Sequence, residues 1–117
     1  LRACREVSAR ETMCSTLGLA LALHAAIDRN AHVINLSLGG PSDRLIEQLV
    51  GAALTRGIPV VAVADRALSA GGFPASVPGV VAVVDENGGT TPAGMIAAPG
   101  TDVVSLSPRD DAQLALF

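Results

Sequence analysis

Ser37, Leu38, Gly39 and Gly40 close an aliphatic run that begins at Val33. A hydroxyl, a leucine and two residues without side chains end what reads as a buried strand. Three kinds of chemistry use such a stretch. The glycines can make a tight turn, or they can lay bare amides around a phosphate at the start of a helix. They can also keep a strand edge clear so that an extended peptide hydrogen-bonds alongside it, where a β-carbon would collide with the incoming chain. The phosphate option lacks its partners. The dinucleotide-binding pattern needs a third glycine where Asp43 stands, and the phosphate loop needs Gly-Lys-Ser/Thr.

Other reactive residue types are sparse. His24 falls in a row with Leu17, Leu21 and Ile27 and reads as a packed or half-exposed helix residue. His32 sits in the lead-in to a strand, at its amino end. No serine stands in a Gly-x-Ser-x-Gly elbow. Cys4 and Cys14 match no zinc or redox spacing and read as free or buried thiols, with a disulfide as the alternative. No acidic cluster has metal-loop spacing, so neither a metal nor a cofactor is expected.

The elements that must position these residues follow from periodicity and punctuation. Thr16 to Arg29 is a run of strong helix formers ending at Asn30, with Leu17, Leu21, His24 and Ile27 on the apolar face. "REVSARETMCS" before it is polar and loop-like, and "LRAC" could be the tail of a strand. Val33 to Leu38 is the first clear strand. Asp43 opens a helix to about Thr55, with Leu45, Ile46, Leu49, Val50 and Ala53 inward and Gly57 as its stop. Val60 to Ala64 and Val80 to Val84 are further strands. Met95 to Ala98 and Val103 to Leu106 are short extended pieces around a Pro99-Gly100 turn. Strands alternating with helices imply an α/β protein with a mostly parallel sheet. Ligands of such sheets bind beyond the strands' carboxyl ends. The loops there are Ser37 to Ser42, Asp65 to Pro78 and Asp85 to Gly94.

Composition agrees. Half of the 117 residues are hydrophobic, almost all aliphatic, and 16% are charged, against about a quarter typically. A net charge of −3 and only two phenylalanines argue against a nucleic-acid partner. Apolar stretches break off well short of the roughly 20 residues that a membrane span needs. The N-terminus shows no signal-peptide order.

Four blocks together resemble the subtilisin-like serine peptidases. "HAAIDRNAHVINLSLGGPS" is similar to that family's helix and V-I-N-x-S-L-G-G-P strand. "RGIPVVAVA" is similar to its next strand, "FPASVPGVVAVV" to its Y/F-P-A and P-x-V-I-A-V segment, and "IAAPGTDVVS" to its A-P-G and following strand. They occur in the family's order and span nearly the whole chain. The resemblance implies a three-layer αβα fold of which residues 1–117 form a single partial domain, its central portion. It implies that Ser37, Leu38, Gly39 and Gly40 border the pocket for the residue before the cleaved bond, their backbone pairing with an extended peptide or protein substrate. It also implies a secreted or periplasmic parent, and, with the sequence context, a cis bond between Phe73 and Pro74.

In the family the catalytic Asp and His motifs precede a segment like "LRAC", and the Gly-Thr-Ser-Met motif follows one like "TDVVSLSP". The segment is therefore expected to hold no catalytic triad and to be inactive alone. The family's oxyanion Asn falls, by gapless alignment from Gly57, on Arg66, or with one residue dropped on Asp65; both are candidates for that position. Alternative readings are a non-catalytic peptide-binding domain of the same descent and an unrelated α/β ligand-binding module. The resemblance also implies that the strand from Val33 to Leu38 lies next to Val60 to Ala64 with its other edge uncovered, so the isolated segment is expected to self-associate.

Overall fold

Two N-capped helices set the frame. The computed structural model describes residues 4–8, 11–106 and 114–116. Ser15 caps helix α1 (Thr16–Asp28), its hydroxyl accepting from the Gly18 amide at 3.0 Å. Asp43 caps α2 (Arg44–Thr55), its carboxylate accepting from the Leu45 and Ile46 amides at 2.9 and 3.1 Å. Gly57, at φ +76°, ends α2 in the left-handed conformation a stop requires.

The central sheet is parallel and runs β3 (Ile34–Leu36), β4 (Val60–Val63), β5 (Val81–Asp85), β6 (Ile96–Ala98). Its register pairs Ile34 with Val60 and Leu36 with Ala62, and Ala62 with Ala82, so these side chains share one face. That face packs with Ala20, Leu23 and Ile27 of α1 and Ile46, Val50 and Ala53 of α2 in one cluster. The arrangement is that of an αβα fold, with the sheet and one helical layer among the described residues. Two small antiparallel pairs flank it: β1 (Cys4–Ser8) with β2 (Glu11–Cys14), and β7 (Val104–Leu106) with β8 (Leu114–Leu116).

Four local expectations are corrected. Part of the polar stretch before α1 is the β1–β2 hairpin. Its register sets Cys4 opposite Cys14, and the two form a disulfide, where spacing favoured free or buried thiols. On α1 the inward stripe is Ala20, Leu23 and Ile27; Leu17 and Leu21 are 67% and 53% exposed, and His24 lies outside near Asp28. The helix is apolar nearly all round, so spacing alone does not select a face. On α2, Leu45 is exposed whereas Ile46, Val50 and Ala53 are buried as expected. The Phe73–Pro74 bond is cis. "LRAC" lies outside the described residues except for Cys4, which begins β1.

Candidate functional site: the carboxyl end of the sheet

Ser37 to Gly40 continue from β3 past the sheet's carboxyl end. Ser37, Gly39 and Gly40 are exposed and Leu38 is half-buried. They line a groove of about 470 Å³ together with Phe73, Ile46, Met13, Cys14 and Leu19. The Gly40 amide donates to the Phe73 carbonyl at 3.2 Å, an isolated antiparallel bridge that joins the loop after β3 to the loop after β4. The surface is mostly apolar, and the Gly40 amide beside it is engaged by the Phe73 carbonyl. Such a surface can hold an extended chain by main-chain bonds and accept an apolar side chain between them.

Neither glycine of the pair is demanded by the fold. Their φ angles are not in the left-handed region. A β-carbon on Gly39 would make an ordinary contact, 3.6 Å from the Phe73 carbonyl, and one on Gly40 would meet nothing within 4 Å. The tight-turn explanation of the pair therefore has no support in the backbone.

Asp65 and Arg66 stand at the end of β4, the strand next to β3. The Asp65 carboxylate closes its own turn, accepting from the Ala67 amide at 2.8 Å. Arg66 is half-buried. Its guanidinium reaches toward β5, donating to the Asp85 carbonyl at 2.6 Å and to the Thr90 carbonyl. The structure thus brings Ser37–Gly40 and Phe73 together and directs Arg66 to the opposite side of β4. His24 and His32 are exposed, and His24 lies 3.4 Å from Asp28 on its own helix.

Two participants escaped sequence reasoning. Phe73 was singled out for its peptide bond and not for its carbonyl. Asp85 holds the Asn87 amide at 3.2 Å, the Gly100 amide at 3.1 Å and the Thr101 hydroxyl at 3.2 Å. The Asn87 contact is a side-chain turn that "DENGG" could have signalled; the contacts to Gly100 and Thr101 leave no local mark. Among the described residues no group of three or more His, Cys, Asp or Glu could hold a metal ion, and no helix is long and apolar enough to cross a membrane.

With this geometry in place, the class is that of the subtilisin-like αβα fold. The chain is 22% identical to the prenylagaramide maturation protease PagA at a TM-score of 0.68, covering 94% of this chain and 45% of that one. It is 26% identical to a mutant of the protease domain of PatA, also at 0.68, over 92% of this chain and 44% of that one. In sequence it is similar to subtilisin amylosacchariticus of Bacillus subtilis subsp. amylosacchariticus, 35% identical over 97 residues. That match takes in 71% of this chain, which spans about a quarter (26%) of the relative's length. No protein-family model matches. In sequence and in fold the chain is thus similar to a segment of subtilisin-like peptidases.

Proposed function

We propose that this segment forms the substrate-binding side of a serine endopeptidase that hydrolyses peptide bonds through an acyl-enzyme. Ser37 to Gly40 supply the edge along which an extended peptide is added. The observation that carries this reading is the glycine pair: the fold leaves room for a β-carbon at both positions, so their bareness serves something outside the fold. Gly40→Val in the whole protein is the test. A β-carbon at Gly40 meets nothing within 4 Å and its φ is not in the left-handed region, and on this reading a branched side chain there would obstruct the incoming chain. Peptide affinity should fall by about tenfold or more, which is about 1.4 kcal/mol, with the unfolding midpoint unchanged. Unaltered affinity would overturn the reading.

By itself the segment should not cleave peptides, because its two histidines lie on the outside of α1 and at the amino end of β3, apart from the groove. A chromogenic peptide together with a serine-directed covalent probe checks this; stoichiometric labelling of any serine of the segment would contradict it.

One observation favours a second reading, a non-catalytic peptide-binding domain of the same descent. Arg66, the gapless counterpart of the family's oxyanion Asn, spends its guanidinium on two backbone carbonyls. A groove that binds peptide in a whole protein that turns none over would support that reading.

The isolated segment should also self-associate. Among the described residues β3 ends the sheet on one side, and Val33 beside it is 55% exposed with no charge to blunt pairing. Light scattering over a dilution series should show mass falling on dilution; a monomer at every concentration would refute it.

A further inference from the structure

We infer that Arg66 is a positioning residue, a tie between loops that holds the Phe73 wall of the groove in place; this rests on the peptide-binding reading above. The tie starts at the guanidinium. One nitrogen donates to the Asp85 carbonyl and the other to the Thr90 carbonyl, so the loop after β4 is bound to the loop after β5. The planar fork presents two fixed, divergent N–H donors to two carbonyls, whereas a lysine ammonium is a compact charge on a flexible stem whose three donors are not set in that fork. Gly88 lies under it: a β-carbon there would stand 2.7 Å from the Arg66 Nε. Asp85 extends the tie to the loop after β6 through the Gly100 amide and the Thr101 hydroxyl.

From Arg66 the tie reaches the groove by a short path. The Asp65 amide donates to the Gly71 carbonyl at 3.0 Å, folding the loop back on itself. Gly71 lies so close to Ala64 that a β-carbon would come within 2.7 Å of the alanine's own. Two residues on, the Phe73 carbonyl receives the Gly40 amide at 3.2 Å. The loop from Arg66 to Phe73 is therefore held at one end by the Asp85 and Thr90 carbonyls and at the other by the Gly40 amide. Releasing the first anchor gives the second more freedom and widens the distribution of groove shapes, which a bound peptide must then narrow.

The experiment uses the whole protein carrying this segment, with Arg66→Gln, Arg66→Lys and Gly88→Ala. Gly88→Ala crowds the guanidinium off its carbonyls while leaving the arginine in the chain, and so stands in if Arg66→Gln fails to fold. The readouts are the affinity for a fluorescently labelled extended hexapeptide, kcat and KM where it is turned over, and amide hydrogen exchange. The expected result is a roughly 2- to 30-fold weaker affinity or higher KM with kcat nearly unchanged. Exchange should quicken in both Arg66–Phe73 and Glu86–Thr90, and Arg66→Lys should fall between wild type and Arg66→Gln. A fall in kcat of about 10²-fold or more at unchanged KM would make Arg66 an oxyanion donor and overturn the inference. Unchanged exchange overturns the tie, and quickened exchange at unaltered affinity overturns its link to the groove. A wild type that binds no peptide removes the groove reading and the affinity effect with it, while exchange still decides whether the tie exists.

Discussion

The two faces of the parallel sheet carry much the same residues and meet different surroundings. On the helix side Leu36, Val60, Ala62 and Val84 are at most 4% exposed. On the other side Val63 and Ile96 are 50% and 55% exposed, Asn35 is exposed, and Val61 and Val83 are half-buried. In sequence, "VVAV" and "VAVV" do not distinguish them. Continuous aliphatic runs are the mark of strands covered on both faces. The difference teaches that composition reports the surroundings a strand is suited to, whereas stability comes from the cover it has. Among the described residues, one face has helices and the other presents an open, mostly apolar hollow of about 350 Å³ at its carboxyl end, lined by residues that include Asn35, Val63, Val83 and Pro99.

The sharpest way to separate the faces is to cut into the covered one. Ile46→Ala removes a side chain that is 2% exposed in the centre of the cluster and should lower unfolding free energy by about 2–5 kcal/mol, read from urea denaturation. A smaller effect is expected where α2 is seated. Asp43→Ala leaves the Leu45 and Ile46 amides without their acceptor and should cost about 1 kcal/mol by the same measurement. The smallest belongs to the open face. Val63→Ser in the isolated segment should shift stability by no more than about 0.5 kcal/mol. A loss comparable with that of Ile46→Ala would mean that the face is covered after all and would break the comparison.

Much of the covered face was legible in the sequence. Both helices and the succession of strands followed from aliphatic runs and from Asp43, Gly57 and the glycine-rich loops, because those signals are local; the pairing of Val33–Leu38 with Val60–Ala64 came only from the family resemblance. The inward stripe of α1 was not legible: a helix with leucine or alanine on every side takes its orientation from what it packs against. The β1–β2 hairpin was hidden by its polar residues, which gave no alternation to read. In the groove, Ser37 to Gly40 were recognisable by a motif, and the structure adds that no backbone constraint explains them. Arg66 was found through an alignment, but its partners were not. Two carbonyls contributed by Asp85 and Thr90 depend on no side-chain type, so no residue pattern announces them.

The bridge between Gly40 and Phe73 has a bearing on the order in which the molecule can be assembled. All of α2 and β4 lie in the chain between these two residues. Bringing them together closes a long loop, and the entropy of that closure is offset only once β3 and β4 are paired and α2 is docked. The groove is therefore a late product of folding. A chain still searching for its sheet has no peptide-binding surface to offer, and its own extended segments cannot be taken up there before the core is closed.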